Sequence, residues 1–357
     1  MCLDASAGSA RSRPQGGWTR FVRVFLGVFL GGLAVGGLFI LLVDPYGVVP
    51  FSLPIERPLV EGNQRLAYPR LIRSRRFDAL IIGSSTARSL DPEQLNGPFG
   101  VRFANLAIAG GRAGEQMALL DYYLRTVGAP KVLIVNLDFF WCDPDAERKG
   151  FFHTDFPYWI YDDNPWNDYA HLFNTNTLEI AGRIVGAHLG LYRGQYRADG
   201  FALFTPPDAQ YNLEHARKQI TGPPADGLPS ITASGEGPDG LKFPALDLLA
   251  PVLARIPSSS LKILLFLPMH AAIQGKPGTL QTSIVAACKA RVASLATAHG
   301  AKVIDWLIES PITTDDSNYW DPMHFRIAVA RQIERGLIDA MVRSQEPSDG
   351  SYLLPVR

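Results

Sequence analysis

Ser85 follows Gly83 and Ser84 directly after a short apolar run, Ala79 to Ile82, and His324 stands three residues after Asp321 near the far end of the chain. A serine hydroxyl is a weak nucleophile until a base takes its proton. An imidazole can take that proton and later return it when a carboxylate holds its ring in one tautomer. The pattern therefore predicts Ser85 as nucleophile, His324 as acid and base, and Asp321 as the group that orients His324. Glycine before the serines permits a tight strand-to-helix turn, and the N–H groups opening the next helix can face a developing oxyanion. Each residue also has a plain reading. Small residues after a strand are ordinary turn chemistry, and Asp321 and His324 could cap the start of the last helix.

Such residues need a scaffold, and the chain carries the pattern of one. ALII, VRFANLAI, KVLIVNL, LKILLFL and AKVIDWL are short apolar runs that read as buried strands. Amphipathic stretches, among them EQMALLDYYLRTV, SIVAACKARVASLATAHG and FRIAVARQIERGLIDAMV, read as the helices between and after them. This alternation predicts an α/β domain over residues 77–345, with a mostly parallel sheet sandwiched by helices. Ligands of such sheets bind at the carboxyl ends of the strands, where Ser85 stands. Residues 143–258 break the rhythm with Tyr, Phe, Trp, Pro, Asp and Gly, and include the loop-like TGPPADGLPSITASGEGPDG. They read as an insertion of loops and short helices carrying substrate contacts. Pro45, Pro50, Pro54 and Pro58 mark residues 44–76 as an extended linker, and residues 346–357 read as a tail.

Every residue from Val24 to Val43 is uncharged and most are apolar. Twenty residues of helix reach about 30 Å, the thickness of a bilayer's hydrocarbon core. The run is too long for the apolar core of a signal peptide and ends in LLVDPYGVVP, without a small-residue cleavage site. Residues 21–43 are therefore expected to span a membrane. Arg11, Arg13, Arg20 and Arg23 precede the uncharged run and Asp44 follows it, which predicts a cytoplasmic segment 1–20 and an extracytoplasmic body, periplasmic in a Gram-negative cell. Gly27, Gly31, Gly32 and Gly36 have a spacing that permits close helix packing. Cys2 then faces a reducing cytosol, while Cys142 and Cys288 share an oxidising compartment, which leaves a bridge between them open.

Composition removes other classes. The 357 residues carry 34 Lys and Arg against 34 Asp and Glu, a formal net charge of +0, so no nucleic-acid partner is expected. Three cysteines make no closed disulfide framework, and none forms a CxxC pair. No GxGxxG or GxxxxGK[ST] follows any strand, so a nucleotide cofactor is not expected. His153, Asp155, Asp162 and Asp163 lack regular ligand spacing, so no metal is expected either.

The order of the motifs resembles the SGNH/GDSL hydrolase superfamily, in particular its membrane-anchored members that act as acyl-esterases or O-acetyltransferases on envelope polysaccharides. The resemblance implies a flavodoxin-like fold, no cofactor, and a Ser-His-Asp triad made of Ser85, His324 and Asp321. Asn105 to Gly110 looks like the family's second block, which implies that the Gly110 N–H joins the Ser85 N–H in an oxyanion hole. The third block, normally G-x-N-D, reads Asn136-Leu137-Asp138, and Ser84 stands where the family usually has Asp. The family's oxyanion Asn has no clear counterpart here, with Asn136 and Asp138 the residues that could fill some of that space; one missing donor commonly costs ~10²–10³ in turnover. Ser84, Asn105, Asn136, Asp138 and His270, the last of which follows the run LKILLFL, are the candidates for a substrate pocket. His270 also reads as a structural residue, and the Arg73–Arg76 run as a solvated surface or a contact for an anionic polymer or lipid headgroups.

The expected activity is hydrolysis or transfer of an acyl group, acetyl in the related members, on a carbohydrate ester of a cell-envelope or exported polysaccharide. The alternative is a silent domain of the same fold that binds glycan or protein partners in an envelope assembly.

Overall fold

A computed structural model describes residues 15–194, 196–222, 241–347 and 349–356. Cys2, Arg11, Arg13 and most of the Pro/Gly/Ser stretch, residues 223–240, lie outside the described residues. The elements in chain order are α1 (Gln15–Val43), α2 (Gln64–Arg73), β1 (Ala79–Ile82), α3 (Pro92–Phe99), β2 (Phe103–Asn105), α4 (Ala113–Thr126) and β3 (Val132–Asn136). They continue with α5 (Ala146–Lys149), α6 (Pro165–Leu172), α7 (Thr175–His188), α8 (Leu213–Thr221), α9 (Pro244–Ala254) and β4 (Leu261–Phe266). The chain closes with α10 (Leu280–His299), β5 (Lys302–Asp305), α11 (Ile327–Met341) and β6 (Leu353–Val356).

The six strands form one sheet in the order β2-β1-β3-β4-β5-β6, parallel from β2 through β5. Successive side chains of a strand point to opposite faces, so each apolar run feeds two cores. Leu80, Ile82, Leu133, Val135, Leu264 and Phe266 pack under α2, α4, α9 and α10. Ala79, Ile81, Val132, Ile134, Ile263 and Leu265 pack on the other face against α3 and α11. Burial on both faces is why these strands read as continuous apolar runs rather than as alternating ones. The strand order reverses between β1 and β3, the position at which sheets of this kind form a crevice at the carboxyl ends of their strands.

Two boundaries differ from the sequence expectation. Residues 44–76 are not an extended linker throughout, since they contain α2. Asn63 caps this helix by accepting from the Arg65 N–H. Pro69 inside it cannot donate to the Arg65 carbonyl four residues back, and the Tyr161 hydroxyl takes that role at 2.7 Å. The replacement donor comes from 96 residues away, so no local rule could supply it. The segment 346–357 is likewise not a free tail. Leu353–Val356 closes the sheet as an antiparallel edge strand on β5, and Tyr352 before it stacks on Trp306 with ring centroids 4.4 Å apart. Pro355 sits where a proline is tolerated, on an edge.

The insertion is shorter than 143–258, because α9 packs against α4 and α10 as part of the covering layer. Its middle docks on β2, where the Asn105 N–H donates to the Asp199 carbonyl at 2.8 Å. At Gly200, with φ +84, a Cβ would lie 2.2 Å from the Asn105 carbonyl oxygen, so only glycine fits.

α1 is the one described helix long and apolar enough to cross a membrane, and it starts at Gln15 rather than at residue 21. Phe21, Phe25, Phe29 and Leu33 are exposed along it, while Ile40 and Val43 are buried against the body. Phe173, at the corner between α6 and α7, lies 3.4 Å from where a Cβ of Gly37 would be. Gly27, Gly31, Gly32 and Gly36 meet nothing within 4 Å.

Cys142, in the loop after β3, forms a disulfide with Cys288 of α10, 146 residues away. A crosslink closing so long a loop removes much unfolded-chain entropy. Replacing both cysteines by serine is expected to lower stability by roughly 2–4 kcal/mol, measured as the guanidinium midpoint of the full chain in detergent. A thiol reductant should reproduce the fall in the wild type and leave the double variant unchanged.

Candidate active site

Gly83 leaves β1 where there is no room for a side chain. A Cβ there would meet the Cβ atoms of Ala87 at 2.7 Å and Asn136 at 2.8 Å. The chain then turns through Ser84 into a 3-10 turn, Ser85–Ser89. Ser85 opens that turn, so its N–H has no carbonyl of the turn to bond to. Asn105, at the end of β2, holds the turn in place. Its Nδ2 donates to the carbonyls of Ala87 at 2.9 Å and Leu90 at 2.7 Å, and its Oδ1 accepts from the Ala107 N–H. Beyond the turn, Asp91 caps α3 and pairs with Arg197 of the insertion and with Arg331 of α11, while its own N–H donates to Glu334.

His324 lies in the loop between β5 and α11, which is pinched shut by a bridge between Tyr319 and Phe325 and by the Trp320 N–H on the His324 carbonyl. Asp321 organises this loop. One carboxylate oxygen accepts from the N–H groups of Met323 at 2.8 Å and His324 at 2.9 Å, and the other accepts from His324 Nδ1 at 2.7 Å. Burial pushes the Asp321 carboxyl up, but the His324 ring and these two N–H groups outweigh it and hold the carboxyl below its ordinary value. An ionised Asp321 places the ring proton on Nδ1 and leaves Nε2 as an acceptor. Nε2 lies 2.8 Å from Ser85 Oγ, so the hydroxyl proton points at the imidazole lone pair. Ser85, His324 and Asp321 thus form one continuous hydrogen-bonded relay, half-buried and open to a ligand.

Gly110 is the third residue of a turn closed by the Gly111 N–H on the Ile108 carbonyl, and its φ of +60 favours glycine. The Ile108 N–H bonds to the Gly83 carbonyl at 2.9 Å, which sets this turn beside the serine turn. The Gly110 carbonyl accepts from His153 Nε2, so the insertion closes over it.

The expected pocket residues lie beneath the crevice rather than along it. Ser84, Asn105, Asn136, Asp138 and His270 are between 0% and 8% exposed. Asn105 spends its amide on the serine turn, as described, and Asn136 donates to Thr86 Oγ1 at 3.0 Å. His270 supports the triad loop. Its N–H donates to the Pro322 carbonyl, its Nδ1 accepts from the Ala272 N–H, and its Nε2 lies 3.1 Å from Asp316. Burial lowers its basicity, against the pull of Asp316. The Arg73–Arg76 run is not uniformly solvated either, since Arg73 donates to the carbonyls of Tyr46 and Ile160. Phe204, absent from the sequence expectation, stands edge-on to His324 with ring centroids 5.5 Å apart. Nothing in its local pattern distinguishes it, since it arrives from the insertion. Among the described residues no group of three His, Cys, Asp or Glu side chains is arranged to hold a metal ion.

Asp138, two residues after β3, accepts from the Phe140 N–H. Burial lifts its carboxyl to about 6, although Ser84 and the Phe140 N–H pull it down. Unfolded, the same group titrates near 4. Between those values the folded chain keeps a proton that the unfolded chain has released, so stability falls as pH rises from about 4 to about 6 and stays lower above it. Asp138→Asn is expected to remove this fall, on the order of 2–3 kcal/mol, in guanidinium midpoints taken from pH 4 to 8. Matching wild-type and variant slopes would contradict it.

No family model matches this sequence, and no curated protein is significantly similar to it.

Proposed function

We propose that the chain is a membrane-anchored, extracytoplasmic serine esterase or O-acyltransferase with a flavodoxin-like fold of the SGNH type. The observation that carries this reading is the Ser85–His324–Asp321 relay at the carboxyl end of β1, with contacts of 2.8 and 2.7 Å. Ser85 Oγ attacks an ester carbonyl while His324 Nε2 takes its proton. The carbonyl π electrons move to oxygen, and the Ser85 N–H, with Gly110 as a second donor, receives the negative charge. His324 then gives its proton to the departing alkoxide, and the acyl group stays on Ser85. Water or a sugar hydroxyl resolves the acyl-enzyme by the same steps in reverse, His324 acting again as base. The ionised Asp321 stabilises the imidazolium formed at each stage.

The resemblance to anchored envelope members implies a carbohydrate ester as the substrate class. The arginines before the uncharged run Val24–Val43 favour a cytoplasmic N-terminus, and a disulfide in the body suits an oxidising compartment. One observation favours the silent alternative, a glycan- or protein-binding domain in an envelope assembly: the family's third oxyanion donor has no clear counterpart, and Asn136, which could fill some of that space, is buried and donates to Thr86.

Labelling the full chain in detergent with a fluorophosphonate tests the reading. The wild type should label, Ser85→Ala should not, and Asp321→Asn should slow labelling by roughly 10³–10⁴. Absence of labelling in the wild type, with polysaccharide binding retained, would favour the silent alternative.

A further inference from the structure

Arg88 is three residues beyond Ser85 on the same 3-10 turn, the spacing at which side chains of such a turn eclipse one another. Its guanidinium therefore rises on the side of the turn that carries the nucleophile. Two rings from the insertion hold it: its central carbon lies 4.7 Å from the centroid of Phe204 and 5.8 Å from that of Tyr196. The Phe204 ring is also the one that stands edge-on to His324. A single aromatic side chain thus bridges the base of the relay and this cation.

The other arginines around the site are spent on acids. Arg65 pairs with Glu115, Arg197 with Asp91 and Asp199, Arg326 with Asp208, and Arg331 with Glu334. Among the described residues, Arg88 rests on the two rings and forms no ion pair. Ring contacts use the face of a guanidinium and leave its in-plane N–H donors unspent. A half-buried cation with a free planar fork, held in place by aromatic packing, is suited to accept an anion bidentately.

We propose that Arg88 is a specificity residue that selects esters carrying an anionic group, a carboxylate or a phosphate, next to the acyl-bearing oxygen. Within the proposed function, on which this inference rests, the substrate is then an ester of an acidic rather than a neutral polysaccharide. The anion binds the Arg88 fork while the ester carbonyl reaches Ser85, and Phe204 lies along the sugar between them.

Three aryl acetates test this on the full chain in detergent: 4-acetoxybenzoate, 4-acetoxyphenyl phosphate and the neutral 4-acetoxybenzamide. The readout is the ratio of kcat/KM for each anionic ester to that for the neutral one, so that leaving-group differences cancel between wild type and variant. Arg88→Gln is expected to lower at least one ratio by roughly ten- to a hundredfold. Arg88→Lys should restore part of the loss, and the anion with the larger fall identifies the source. Raising the salt concentration should lower that ratio in the wild type and leave it flat in Arg88→Gln. Fluorophosphonate labelling of Arg88→Gln checks that its site is assembled. Unchanged ratios in a variant that labels overturn the inference and leave the esterase reading intact. No Ser85-dependent hydrolysis of any of the three esters by the wild type overturns both.

Discussion

The Asp321 carboxylate does two jobs with four lone-pair directions. It folds its own loop by accepting two backbone N–H groups, and it fixes the ring of His324 by accepting Nδ1–H. Because the same anion does both, the loop cannot adopt this shape without also setting the imidazole's tautomer and direction. The His324 ring first, and the two backbone donors with it, hold the carboxyl below its ordinary value against burial, and an ionised carboxylate is what keeps Nε2 free to accept from Ser85. Protonating or removing this group would loosen the loop and the relay together.

The partner half of the relay depends on contacts of a different kind. Gly83 is clamped between β1, β3 and the turn, where any side chain would collide. Asn105 supplies the turn with the hydrogen bonds its short 3-10 geometry lacks. Both are buried polar or backbone constraints, which cost much if left unsatisfied and so specify one arrangement. Around them, Glu115 is a fully buried acid that accepts from the Arg65 fork, the Arg112 N–H and the His153 N–H. It therefore ties α2, the start of α4 and the insertion to one point beside Gly110. The segment before β1, the sheet and the insertion act as one body around the crevice, joined again by the disulfide between Cys142 and Cys288.

Much of this was legible from residue order. The five parallel strands announced themselves because burial on both faces requires uninterrupted apolar runs, and α4, α10 and α11 lie within a few residues of their expected places. The contact among Ser85, Asp321 and His324 was legible in part because few residue types can form such a relay, and the Asp-to-His spacing is local. What escaped was whatever depends on a distant partner. α2 was hidden by the prolines before it and by Pro69 within it, since the donor that compensates Pro69 is Tyr161. β6 was hidden because an edge strand is short, half-exposed and carries a proline. Asn105, Asn136 and His270 were expected in a substrate pocket because they end or follow strands, but that position does not say whether a side chain faces a ligand or the backbone beneath it, and all three are buried.

Local chemistry and periodicity were enough, from the sequence alone, to point to an α/β sheet, an apolar helix of membrane length, and a serine, a histidine and an aspartate of the types that a hydrogen-bonded relay needs. Those features rest on side-chain type and on spacing within a few residues, which chain order records directly. Only the tertiary structure decided that residues 239 apart bring a hydroxyl to 2.8 Å from an imidazole nitrogen. It also decided that a phenylalanine from an irregular insertion stands between that imidazole and an arginine. Such contacts are set by how the crossovers close and how the insertion packs, and no window of the sequence contains both partners.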